Sequence, residues 1–245
     1  MENNRHYQDA LNFYDRLILK NQNSDIIYYR RALLYQKMFS TYRDRIYNEK
    51  SISDISNAIA INPNFKDAIF DRSIIYRNSN NSKLALEDID YLIETFGKSA
   101  KYFTARGLIY KSLDSLKLAI GDFTSAIELD DTLSISYVNR GQIYTTQKEW
   151  YKALKDLSKV IELKPNKSDY YYNRAFVYDQ MGDKMNALKD YNKAIDLSDT
   201  EYDYFLNRGN LFYKLHQTEK ACNDWERAYN LGHVSLKPYL DFHCK

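Results

Sequence analysis

One arginine recurs with a fixed period. Arg72, Arg106, Arg140, Arg174 and Arg208 follow one another at intervals of 34 residues. A small residue comes next and an aromatic lies four positions on: Ser73 and Tyr76, Gly107 and Tyr110, Gly141 and Tyr144, Ala175 and Tyr178, Gly209 and Phe212. A sixth copy, Arg31-Ala32 with Tyr35, lies 41 residues before Arg72 and therefore carries an insertion of seven. A unit this short buries no core alone, so a chain that repeats it has to stack the copies.

Let position 1 of each copy be Asp25, Lys66, Ala100, Ser134, Ser168 and Tyr202; the arginine is then position 7. Position 20, counted after the insertion in the first copy, reads Ser51, Ala85, Ala119, Ala153, Ala187 and Ala221. Position 24 is bulky: Ile55, Ile89, Phe123, Leu157, Tyr191 and Trp225. Positions 4, 8 and 11 share one helical face, and positions 20, 24 and 27 share another. The pattern predicts two helices per copy. Small residues at 8 and 20 admit close approach, and the large groups at 11 and 24 fill the space beside them. Polar breaks at 78–82 and 181–183 read as turns. Asp131/Thr132 and Asp199/Thr200 are expected to cap helices. With 7 Gly and 3 Pro in 245 residues, turn-rich β folds and Gly-rich phosphate loops have little to be built from.

The pattern resembles the tetratricopeptide repeat (TPR), a 34-residue helix–turn–helix unit. It departs from the family at position 7, usually Leu there and Arg in all six copies here. The resemblance implies an all-α, right-handed superhelical solenoid of antiparallel helix pairs, continuous over residues 1–245. Its parts are a capping half-repeat at 1–24, repeats at 25–65, 66–99, 100–133, 134–167, 168–201 and 202–235, and a C-terminal cap at 236–245. Ala10, Tyr14 and Leu17 fall in step with positions 20, 24 and 27. Val234, Leu236, Tyr239 and Leu240 give the other end an amphipathic pattern. Seven inserted residues make about two helical turns, so both helices of the first repeat are expected to gain a turn near 39–50.

Position 23 is Asp in every copy. We expect six ion pairs: Arg31–Asp54, Arg72–Asp88, Arg106–Asp122, Arg140–Asp156, Arg174–Asp190 and Arg208–Asp224. The planar guanidinium suits bidentate pairing. Spacing alone leaves open whether each pair closes within a repeat or between neighbours. Recurrence in every copy points to a structural tie rather than to catalytic or phosphate-binding arginines.

In the resembled family the first helices line the concave face, which puts positions 2, 5, 6, 9, 12 and 13 in the groove. Position 6 reads Arg30, Asp71, Ala105, Asn139, Asn173 and Asn207. The last three form a ladder of amides. Each amide both donates and accepts, which suits a peptide backbone. Gln142 and Asn210 at position 9 extend the strip, and Tyr172, Phe176 and Leu206 offer apolar contacts. The competing reading is a local sequence habit with solvated Asn side chains. The family's carboxylate clamp for chaperone C-termini needs Lys at position 5. That position holds Tyr29, Phe70, Thr104, Val138, Tyr172 and Leu206, so the clamp is absent.

Nothing in the sequence argues for catalysis, a cofactor or a metal. His6, His216, His233 and His243 have no metal-ligand spacing, and no nucleophile elbow or Walker loop appears. Cys222, at position 21, reads as a core thiol, and Cys244 as an inert residue at a frayed end. Two cysteines cannot staple a chain of this size and fit a reducing compartment. The N-terminus lacks an apolar signal segment, and no run approaches the roughly 18 apolar residues of a membrane helix. The expectation is a cytoplasmic, non-catalytic protein–protein interaction scaffold or adaptor. It would hold an extended peptide or a partner helix in the concave groove. One alternative is a homodimer built by stacking poorly capped ends. Another is an RNA-binding helical repeat, which the net charge of +2 and the commitment of six arginines to ion pairs disfavour.

Overall fold

The computed structural model describes residues 2–244, with side-chain surroundings from residue 6 onward. The described residues form helices without strands: α1 (Glu2–Lys20), α2 (Asp25–Tyr42), α3 (Arg45–Ile61), α4 (Lys66–Asn78), α5 (Ser82–Phe96), α6 (Ala100–Ser112), α7 (Leu116–Leu129), α8 (Ser134–Thr146), α9 (Trp150–Leu163), α10 (Ser168–Gln180), α11 (Lys184–Leu197), α12 (Tyr202–Lys214), α13 (Thr218–Asn230) and α14 (Lys237–His243). A single 3-10 turn, Val234–Leu236, precedes α14. The helices pack into two compact units, Met1–Asp122 and Phe123–Lys245.

Within each unit the helices alternate as first and second members of pairs. The small side chains carry the close approaches. Ala85 in the first unit and Ala153, Ala187 and Ala221 in the second are completely buried. So are the bulky residues Ile89, Tyr191 and Trp225 beside them. Full burial of one such aliphatic or aromatic side chain contributes ~1.5–3 kcal/mol. In the last pair size is traded across the contact. A Cβ on Gly209 would lie 2.8 Å from Cδ1 of Trp225, so the indole fits only because position 8 is glycine there. Ser51, the one hydroxyl at position 20, donates to the Ala32 carbonyl at 3.0 Å and leaves no unsatisfied group behind.

The insertion is absorbed by helix length. Helix α2 has 18 residues and α3 has 17, whereas α4 has 13. The intra-repeat turns share one backbone device. Asn80, Asp114, Lys148, Gly182 and His216, all at position 15, are left-handed, with φ of 60°, 55°, 59°, 80° and 59°. That conformation ends the first helix and reverses the chain.

Two expectations are corrected. Asp131/Thr132 and Asp199/Thr200 cap no helix. The residues before α8 and α12 are Leu133 and Glu201, and neither makes a side-chain cap bond. The polar groups close the inter-repeat turn instead: Asp130 accepts from the Thr132 amide at 3.0 Å and its hydroxyl at 2.6 Å. Second, Cys222 and Cys244 are disulfide-bonded, with Cα atoms 5.6 Å apart. Helix α14 folds back on α13, with Leu236 and Leu240 entering the cluster around Phe205, Trp225 and Ala228. His243 packs on Tyr239, ring centres 4.2 Å apart, so this end is not frayed. Paired thiols are the form an oxidising compartment favours, and the cysteines carry no argument for the cytoplasm.

Candidate peptide-binding face

The arginine at position 7 sits on the first helix of each pair, one turn from the aromatic at position 11. Its Nε and one terminal nitrogen donate to the two oxygens of the position-23 aspartate in the same repeat. The distances are 2.7 and 2.7 Å for Arg31–Asp54, 2.9 and 2.7 Å for Arg72–Asp88, and 2.8 and 2.9 Å for Arg106–Asp122. They are 2.8 and 2.8 Å for Arg140–Asp156, 2.7 and 3.0 Å for Arg174–Asp190, and 2.8 and 2.7 Å for Arg208–Asp224. All six aspartates are buried. Hydrogen bonding to Asp54 raises the Arg31 pKa, overcoming the opposing effect of burial. For Arg140, burial pulls the pKa down and the bond and charge of Asp156 outweigh it.

The remaining terminal nitrogen reaches the preceding second helix, at position 25 or its equivalent on α1. The partners are Asp15 (2.6 Å), Ser56 (3.1 Å), Asp90 (2.7 Å), Thr124 (2.8 Å), Ser158 (3.1 Å) and Asn192 (2.7 Å). Each guanidinium therefore ties its own repeat together and clips it to the one before. Aromatic faces add to the hold: Arg140 lies 5.8 Å from the Tyr137 ring centre and 6.0 Å from that of Tyr144, within cation–π range. All three nitrogens of each guanidinium are thus bonded to neighbouring side chains.

The second unit presents α8, α10 and α12 as its first helices. Gln142, Thr145, Leu157, Tyr172, Asn173 and Phe176 line a cleft of about 300 Å³, along with Thr146. The amide ladder is uneven. Asn139 donates to its own helix, at Ile135 O, 2.8 Å. Asn207 donates to the Tyr172 hydroxyl at 2.7 Å. Asn210 accepts from the Trp225 indole N–H at 3.0 Å. Asn173, in the cleft, has no side-chain hydrogen bond among the described residues. Phe176 is 37% exposed, a large ring kept at the surface, while Leu206 is partly buried against the Trp225 cluster. Tyr172 lies between Tyr204 (4.9 Å) and Tyr191 (6.0 Å). The buried hydroxyl of Tyr191 has no hydrogen-bond partner among the described residues, and burial raises its pKa well above the usual range.

Family models for the TPR repeat and the tetratricopeptide repeat match residues 141–182 and 168–200. Similar solved structures are themselves TPR proteins. The C-terminal part of a TPR repeat-containing protein from Cytophaga hutchinsonii superposes with a TM-score of 0.73 at 22% identity, over 94% of this chain and 92% of that one. Residues 141–200 thus match tetratricopeptide-repeat models, and the fold of the chain is that of TPR proteins. A TPR protein from Parabacteroides merdae gives a TM-score of 0.67 at 16% identity, covering 99% of this chain and 94% of its own. YrrB, described as a TPR protein with an unusual peptide-binding site, gives 0.58 at 20% identity over 76% and 92%. No relative among curated proteins matches the sequence. TPR proteins are in general non-catalytic scaffolds that bind protein or peptide partners. Among the described residues no cluster of three or more His, Cys, Asp or Glu is placed to hold a metal ion. No described helix is long and apolar enough to cross a membrane.

Proposed function

We propose that this TPR chain is a non-catalytic interaction scaffold that holds an extended peptide on the first-helix face of its second unit. The observation that carries this reading is Asn173. Its amide stands in a cleft beside Tyr172 and Phe176 with no hydrogen-bond partner among the described residues. A half-exposed primary amide next to exposed aromatic surface suits a main-chain amide above a side-chain pocket. Asn207 keeps its carbonyl oxygen for a ligand while its NH2 holds Tyr172. Asn139 and Gln142 flank the site, and Leu206 and Asn210 support it from within. A peptide-binding site in YrrB, a protein of the same fold, adds to the reading. In this scheme the chain is one array of six repeats, with residues 1–24 and 236–245 as its end caps.

A random twelve-residue peptide library selected on the full chain supplies the ligand. The Asn173→Ala/Asn207→Ala double variant is expected to bind the selected peptides at least tenfold more weakly, about 1.4 kcal/mol, while its stability falls by no more than the ~1 kcal/mol of the Asn207–Tyr172 hydrogen bond. Unchanged affinity would overturn the assignment. Self-association by end stacking gains no support at the C-terminal end, because α14 and the disulfide cover it.

A further inference from the structure

The same positions on the first unit carry a different chemistry. On α2, α4 and α6, the outward positions hold five cations, Arg30, Lys37, Arg77, Lys101 and Lys111, against two carboxylates, Asp67 and Asp71. Asp71 is already engaged, accepting from the Tyr29 hydroxyl at 2.6 Å. On the second unit the outward positions of α8, α10 and α12 hold three carboxylates, Asp169, Asp179 and Asp203, and one cation, Lys214. That cation is spent on Asp179 at 2.9 Å.

The cations of the first unit stand among apolar surface. Lys101 Nζ lies 3.8 Å from the ring centre of Phe70, and Phe70 packs on Tyr102 at 6.0 Å. A cleft of about 640 Å³ combines Ile26, Leu33 and Phe65 with Arg30 and Lys37. Arg77 is half-buried, and among the described residues the side chain it bonds is that of Asn78. Burial lowers its pKa with no carboxylate to offset the cost. Burial also lowers the pKa of Lys111, at the same position one repeat on.

We propose that the first-helix face of the first unit binds an acidic peptide segment whose carboxylates alternate with aliphatic or aromatic side chains. The proposal rests on the reading that first-helix faces receive partner chains, but it places a second site on separate residues. Carboxylates complement Arg30, Arg77 and Lys101, and the apolar side chains fill the cleft at Ile26 and Leu33. A peptide fits better than single-stranded RNA. Exposed Asp67 stands in the same cleft, and Tyr29 and Phe65 pack on each other at 4.7 Å, so that aliphatic Ile26 and Leu33, not free ring faces, are the exposed apolar surface there.

The test uses the oxidised full chain and the same random library. Selected peptides are expected to be enriched in Asp and Glu between apolar residues. Arg77→Glu/Lys101→Glu should weaken these acidic peptides more than tenfold, and Asn173→Ala/Asn207→Ala less than twofold. Arg77→Gln/Lys101→Gln serves if charge reversal impairs folding, with a smaller loss of at least threefold. Three results overturn the proposal: no acidic enrichment, acidic peptides indifferent to both cation variants, or a labelled decauridylate that displaces the peptide and depends on Arg77 and Lys101. Peptides sensitive only to the asparagine variant overturn this site and leave the second-unit site standing. Peptides sensitive only to the cation variants do the reverse.

Discussion

The two units use the same arginine tie in different electrostatic company. In Met1–Asp122, Arg31 and Arg106 each serve two carboxylates, Asp15 with Asp54 and Asp90 with Asp122. In Phe123–Lys245 the third bond of the arginine goes to Thr124, Ser158 or Asn192, all neutral. The outward faces differ further, cationic and aromatic in the first unit and amide-lined in the second. Packing demands one solution at positions 7, 8, 20 and 23. Positions that face outward answer to a partner instead, and there the halves diverge.

The largest effect that sharpens this comparison lies in the ties. Replacing Arg140 by Leu strands Asp156, which is 2% exposed, and should cost about 3–5 kcal/mol in urea unfolding. Arg106→Leu strands Asp122 and also leaves Asp90 beside it without its cation, so its cost should be equal or greater. A clearly smaller loss at Arg106 would break the comparison.

Next comes the covalent clasp, which only the second unit has. Cys222 and Cys244 are 22 residues apart, a loop for which chain entropy gives about 3 kcal/mol. Reduction should lower the protection of α12 and α13 in hydrogen exchange and leave α4 and α5 as they were. An equal loss in both units would show that they unfold together.

The smallest effect concerns the turns. Position 15 is left-handed in the second to sixth repeats, and Arg43 takes that conformation after the longer α2 of the first. At position 15 itself the first unit places Asn80 and Asp114, types that tolerate this conformation. The second places Lys148, Gly182 and His216. Lys148→Gly should therefore stabilise by ~0.5–1 kcal/mol, and Asn80→Gly by less. A thermal midpoint that falls for Lys148→Gly would contradict the strain argument.

Legibility followed the letters. Arg at 7, Asp at 23 and the small residues at 8 and 20 recur as single types or near-types, so the helix pairs are visible in the string. The third bond of each arginine is not, because its partners, Asp15, Ser56, Asp90, Thr124, Ser158 and Asn192, share polarity but no letter. The left-handed turns hid for the same reason, with glycine only at Gly182. The disulfide escaped because Cys244 lies outside the repeat register, and only the fold of α14 onto α13 brings it to Cys222. Of the amide ladder, sequence marks the three asparagines alike. The structure separates them by what each bonds: Ile135 for Asn139, the Tyr172 hydroxyl for Asn207, and no internal group for Asn173.

We propose that the first helices, and not the second helices or the ends, receive the partner. Photo-crosslinking tests it directly. A selected peptide carrying a benzophenone is irradiated on the full chain, and the adducts are located by mass spectrometry. Adducts are expected on α8, α10 and α12 around Gln142, Tyr172 and Phe176 for asparagine-dependent peptides, and on α2, α4 and α6 for acidic ones. Adducts concentrated on α11, α13 or α14, or on α9 away from Leu157 of the cleft, would contradict it.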